Sequence, residues 1–105
     1  MDELVARLSA GEHPVALSRL DTPADLKECV EQGYVLVEFT GTRGGTELSV
    51  RLDPAATDLT AADLPGGTGT ARLVGDLNLN EVDVRCIAEV EVATLRGSGR
   101  LEVIG

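Results

Sequence analysis

Residues 70–92 read TARLVGDLNLNEVDVRCIAEVEV, and this segment carries the strongest structural signal in the chain. Apolar and polar residues alternate on both sides of Asn80-Glu81, which is typical of two strands that each bury one face. A two-residue turn at Asn80-Glu81 pairs the apolar residues on one face, as Leu79 with Val82, Leu77 with Val84 and Leu73 with Ala88. On the other face the same register pairs Asp76 with Arg85, Val74 with Ile87 and Arg72 with Glu89. A register chosen for the core alone thus also pairs opposite charges, which supports a β-hairpin.

Two further hairpins flank this segment in the sequence. A turn centred on Arg43-Gly44 predicts that Phe39 pairs with Leu48, Val37 with Val50 and Val35 with Leu52. A turn at Gly97-Ser98 predicts that Val92 pairs with Val103 and Thr94 with Leu101, which makes the strand from Val82 to Thr94 central. Residues 54–67 contain two prolines and two glycines and are expected to form a long, mobile loop, with one helical turn near Thr60 to Leu64.

The N-terminal third of the chain has the pattern of two short helices. Asp2 to Ala10 places apolar residues on one face and is followed by Gly11. A short extended segment precedes the second helix, whose start is marked by Thr22-Pro23-Ala24-Asp25, an N-cap hydroxyl, a proline and an acidic third residue. Gly33 is expected to end this helix in a left-handed conformation.

These elements predict one α+β domain over residues 1–105, helical in residues 1–33 and built of β-hairpins in residues 34–105. The sheet is expected to be antiparallel and twisted, with about five to six strands joined by three consecutive hairpin-type connections. A flat strand from Val82 to Thr94 would be longer than such a domain is wide, so we expect a bend, with Gly69 and Gly75 on the neighbouring strand as its sites.

Composition and charge exclude several classes of function. The chain has 105 residues, a formal net charge of −9 and an aromatic content of 2%. Nucleic acids and anionic membranes require a concentrated positive surface, which this chain lacks. No apolar run approaches the length of a membrane span and no signal-peptide pattern occurs, so we expect a cytoplasmic protein that binds neither nucleic acid nor membrane.

No residue pattern indicates catalysis, a cofactor or a metal. Cys29 and Cys86 lie far apart, and we expect both to be reduced core residues. The single histidine, His13, has a sequence context typical of a surface turn. The glycine-rich segments near residues 44 and 67 lack the lysine and the following helix of a phosphate-binding loop.

The most suggestive feature is a set of apolar residues on strand faces that are otherwise polar, namely Val74, Ile87 and Ile104. Two interpretations are open: one of the helices packs over these residues, or another protein chain does. The second interpretation makes the three residues a candidate partner-binding stripe.

Two functions follow from these observations. The favoured one is a non-catalytic interaction or assembly protein, such as a small accessory subunit or a homodimer, that associates with itself or with another protein chain through its β-sheet. The alternative is a protein or enzyme that binds a small apolar ligand between sheet and helices, with residues 54–67 as the lid.

Overall fold

A computed structural model describes residues 3–18, 20–42 and 44–104 of the chain. This part of the chain contains two helices and seven strands, in the order α1 (Glu3–Ser9), β1 (His13–Leu17), α2 (Pro23–Gln32), β2 (Tyr34–Phe39), β3 (Thr46–Leu52), β4 (Ala62–Asp63), β5 (Thr68–Leu79), β6 (Val82–Glu91) and β7 (Arg96–Val103). The α+β class and the antiparallel sheet are confirmed. In the described residues, neither helix has the length and apolarity needed to cross a lipid bilayer.

Both ends of α2 are formed as the sequence predicts. The Thr22 hydroxyl accepts a hydrogen bond from the Asp25 amide, and the Asp25 carboxylate accepts one from the Thr22 amide. Backbone N–H groups of Asp21 and Thr22 donate to this carboxylate and lower the pKa of Asp25 below its usual 3.8. At the other end Gly33 has a φ of 92°, and its N–H donates to the Cys29 carbonyl.

The β5–β6 hairpin has the predicted register throughout. Its observed pairs include Leu79↔Val82, Asp76↔Arg85 and Arg72↔Glu89. Asn80 and Glu81 both have positive φ, of 51° and 69°, as a two-residue type I′ turn requires.

The β2–β3 hairpin forms, but the predicted register is wrong by two residues. Phe39 pairs with Thr46, Val37 with Leu48 and Val35 with Val50. The connection is longer than two residues because Thr42 holds it: its hydroxyl donates to the Phe39 carbonyl, and its own carbonyl accepts from the Gly45 amide. A two-residue slip keeps every side chain on its face, so the apolar alternation is compatible with both registers.

The predicted turn at Gly97-Ser98 is also wrong. The chain turns between Glu91 and Arg96. Gly97 and Ser98 both lie inside β7, where Gly97 pairs with Val90. A Cβ atom on Gly97 would lie 1.9 Å from the Glu89 carbonyl oxygen, so glycine permits close strand contact here rather than a turn. β6 is central, with β5 on one side and β7 on the other.

Six of the strands close into a barrel. The order around it is β1, β2, β3, β5, β6 and β7, with all neighbours antiparallel, and β7 pairs with β1 to complete the ring. Two contacts make the closure, β1 with β7 and β3 with β5, and neither follows from the predicted hairpins. The core lies inside the barrel and includes the largest fully buried side chains, Phe39, Leu8, Leu26, Leu73 and Leu101. α1 precedes β1 and α2 follows it, and both helices contribute to this core.

The segment after β3 is bonded along the edge of β5 that faces away from β6. The sequence predicts a mobile loop with a helical turn for this segment. Asp58 forms a bridge with Arg72 of β5, and β4 pairs with the first residues of that strand. The predicted helical turn near residues 60–64 is wrong, because β5 offers unpaired backbone groups that a second strand satisfies.

Candidate interaction groove

The three residues of the predicted stripe lie in different environments. Val74 is 3% exposed, and its backbone is bonded to the segment after β3: the Thr57 hydroxyl donates to its carbonyl at 3.0 Å and accepts from its amide at 3.2 Å. Ile87 is half-buried on β6. Ile104 is 53% exposed. Val74 is thus buried within its own chain, beside a loop that neither interpretation of the sequence included.

An open groove lies where β3 and β5 separate. Over Thr46–Leu52 and Thr68–Leu79, all of which the structure describes, the two strands pair at Arg51↔Asp76 and Leu52↔Gly75. Beyond these pairs they diverge, and the β5–β6 hairpin forms the second wall. The end of α2 and Ile104, which follows β7, complete the lining. The barrel wall is therefore closed at one end of β3 and open along the rest of it.

Backbone groups of β3 face this groove. The Leu52 amide donates to the Gly33 carbonyl at 2.8 Å, so Leu52, and with it Val50 and Leu48, direct their backbone groups towards β2. Ser49 has the opposite parity and directs its N–H and carbonyl groups into the groove. On the opposite wall, the backbone of Asn78 has the parity of Val74, which faces away from β6. The groove thus presents strand edges on both sides.

Two of the large apolar side chains that are exposed among the described residues flank the groove. Tyr34 at the start of β2 is 47% exposed, and Ile104 is 53% exposed. The third, Val103, is the neighbour of Ile104 and is 38% exposed. Tyrosine is enriched in surfaces that bind other proteins, and an open strand edge can pair with an added strand.

An ion-pair network holds the closed end of the groove. Arg85 of β6 contacts Asp76 of β5 at 3.1 Å and Asp53, just after β3, at 3.3 Å. The groove lining also contains Asp83, whose carboxylate accepts a hydrogen bond from Asn78 at 2.9 Å. The charged residues of the lining are Asp76 and Asp83 on the acidic side and Arg51 on the basic side, so the lining has a net negative charge.

The described residues do not assemble a metal site. Within residues 3–18, 20–42 and 44–104, no three His, Cys, Asp or Glu side chains are grouped so as to hold a metal ion. The Nε2 atom of His13 lies 2.8 Å from the Arg7 carbonyl oxygen, so the ring joins the end of α1 to β1. Both cysteines are free, and burial raises the pKa of the Cys86 thiol to about 12. Desolvation, followed by the charges of Glu28 and Asp25, raises the pKa of Cys29.

The interior of the barrel is occupied by packed side chains. Inward residues of neighbouring strands, such as Val37, Leu73 and Val90, are at most 1% exposed. The segment expected to be a lid pairs with the edge of β5, and its Leu59, Ala62 and Leu64 side chains pack against this core. These observations favour the groove over the interior as the candidate site.

Comparison of the chain with protein-family models gives no match, and comparison with curated proteins gives no significant one.

The sequence singles out Ile104, which lies in the groove lining, but does not predict the groove itself. The alternation in β2 also places Tyr34 on an outward face, which is a candidate contact surface. Ser49 carries no signal in the sequence, because its importance comes from the direction of its backbone groups. That direction matters only because β5 leaves β3 after two pairs, and this divergence has no signature in the composition of either strand.

Proposed function

We propose that the chain is a non-catalytic interaction domain that binds a partner polypeptide in the groove between β3 and the β5–β6 hairpin. The observation that carries this proposal is the coincidence of open strand edges with the exposed side chains of Tyr34 and Ile104. A partner that covers these side chains gains roughly 25 cal/mol for each Å² of apolar surface removed from water. The partner is another protein or a second copy of the chain.

Selection from a random peptide library tests this function and does not require the partner to be identified first. Peptides of about 12 residues, long enough to follow a strand edge, are displayed on phage, enriched on the wild-type protein and resynthesised. Their dissociation constants are then measured for wild type, Tyr34→Asp and Ile104→Asp. We expect each substitution to weaken binding about tenfold or more, because a charge replaces an apolar contact.

Ile87→Asp is the matched control, since it places the same charge on the outer face of the barrel but outside the groove lining. Light scattering on all four proteins reports self-association in parallel. If peptide binding or oligomer mass changes in Ile87→Asp but not in Tyr34→Asp or Ile104→Asp, the interface lies at Ile87 on the predicted stripe and not in the groove. Failure to enrich any peptide, together with a monomeric mass, would contradict an interaction function.

A further inference from the structure

The chemistry of the groove also specifies its occupant, an inference that rests on the function proposed above. We infer that the groove binds an extended, basic segment of a different polypeptide, which adds to β3 as a further strand. The bound segment alternates basic and apolar residues.

The backbone of β3 is the reason for an extended occupant. Five residues, Thr46–Val50, pair with β2 on one side and have left β5 on the other. Ser49 points its amide and carbonyl groups to the open side, where an added strand supplies the complementary acceptor and donor. A helix placed there would satisfy its own backbone groups internally and leave these two to water.

The two faces of the added strand meet different surroundings. On the inner side it lies towards Leu77, which is half-buried and packs against the core. On the outer side it lies towards Asp76 and Asp83, whose two negative charges outnumber the single positive charge of Arg51 in the lining. Because successive side chains of a strand point to opposite faces, apolar residues alternate with basic ones in the sequence that fits best.

Charge favours another protein over a second copy of the chain. Each copy carries a net charge of −9, so two copies repel each other as they approach. A basic segment is attracted by the same field, and its association is weakened by salt.

The probe is an acetylated and amidated octapeptide of alternating lysine and valine, compared with the same peptide carrying glutamate for lysine. Its binding to the full chain is measured by isothermal titration calorimetry at low salt. We expect the lysine peptide to bind at least ~10-fold more tightly than the glutamate peptide, and increasing the NaCl concentration to weaken it. Equal affinity of the two peptides would overturn the charge assignment.

Two N-methylated versions of the lysine peptide test the added strand. One is methylated on every odd residue and the other on every even residue, so each lacks the amide donors of one edge. Addition to β3 alone predicts that one version loses binding and the other retains it. If both versions bind like the parent peptide, the segment does not add as a strand.

Variants of the protein locate the bound segment. Ser49→Pro removes an amide that faces the groove and no bond of the β2–β3 ladder, and we expect it to abolish binding with an unchanged far-UV spectrum. Asp83→Asn should weaken binding several-fold. Glu91→Gln removes the same charge from the far end of β6 and should have the smaller effect. If Ser49→Pro disturbs the fold, the N-methylated peptides still test whether the bound segment adds to β3 as a strand.

The inference and the proposed function fail in different ways. If selected peptides bind the groove and the lysine peptide does not, the inference is wrong and the function stands. If neither binds, both are wrong. If wild type is a dimer that Ser49→Pro converts to a monomer, the occupant is a second copy and the inference is overturned.

Discussion

Gly75 lies where the backbones of β3 and β5 approach each other most closely. A Cβ atom at this position would lie 2.1 Å from the Arg51 carbonyl oxygen and 2.7 Å from Val50 Cγ1. We therefore expect Gly75→Ala to lower the free energy of unfolding by about 1–3 kcal/mol, as overpacking usually does, although alanine has the lower conformational entropy cost. Urea denaturation measures the change.

Gly41→Ala is the control for this substitution. Its Cβ atom would lie 3.2 Å from Pro14 Cγ, a contact that a small shift relieves, so we expect a change within about 0.5 kcal/mol. Equal stability of Gly75→Ala and wild type would show that β3 and β5 do not close at Gly75.

The two cysteines differ in their expected reactivity towards thiol reagents. Cys86 is 1% exposed with a thiol pKa of about 12, whereas Cys29 is half-buried. At about pH 8 the folded protein should therefore react with Ellman's reagent first at Cys29, and at Cys86 when it unfolds, because the thiolate is the reacting species. In the Cys29→Ser variant, the remaining thiol, that of Cys86, should react only when denaturant is present. Rapid labelling of that variant without denaturant would contradict the burial of Cys86.

At the level of elements, the segment after β3 is held to β5 by the Thr57 hydroxyl. Thr57→Val keeps the shape of the side chain but removes both hydrogen bonds to the backbone of Val74. We expect a loss of about 1–3 kcal/mol in the free energy of unfolding, because the Val74 amide loses its partner, while the Val74 carbonyl still accepts from the Asp53 amide. Hydrogen exchange should also show faster exchange of the Val74 amide.

Thr60→Val is the matched control, since the Thr60 hydroxyl bonds to Asp58 in an exposed position. Its effect on stability should be the smaller of the two. An unchanged exchange rate of the Val74 amide in Thr57→Val would show that this segment moves freely, as a lid would.

Hairpin registers were predictable where the turn itself has a sequence signature. Asn80-Glu81 is a two-residue turn between strongly alternating strands, and its predicted register is confirmed. In the β2–β3 and β6–β7 hairpins the glycines suggested tight turns, but Gly97 lies in a strand and Gly44 in a longer connection. In both cases side-chain alternation kept the correct face while the pairing partner shifted by an even number of residues.

For the whole molecule, the net charge of −9 predicts a stability that depends on salt. Self-repulsion opposes the compact barrel, and raising NaCl from about 10 mM to 150 mM shortens the Debye length from roughly 30 Å to 8 Å. We expect the Tm to rise by a few degrees over this range. Salt also weakens ion pairs, but partly exposed pairs such as Arg72–Glu89 contribute little to stability, so their screening lowers the Tm only slightly.

A variant with Glu31→Gln and Glu91→Gln carries two fewer acidic groups, which changes the net charge from −9 to −7. Its Tm should depend less on salt than that of wild type. A Tm that falls with salt in both proteins would show that ion pairs, rather than net repulsion, dominate the electrostatics of the barrel.

The sequence alone determined which residues face the core, where α2 begins and ends, and how β5 pairs with β6, because each depends on neighbours along the chain. The tertiary structure decided the pairing of β1 with β7, the two-residue contact of β3 with β5, and the hydrogen bonds between Thr57 and the backbone of Val74. These contacts join residues far apart in sequence, and they depend on how six twisted strands tilt to close a ring. Alternation with a period of two specifies which face of a strand is buried but not which strand pairs with it. The groove beside Ser49 therefore forms only when the barrel closes and β5 pairs with the end of β3.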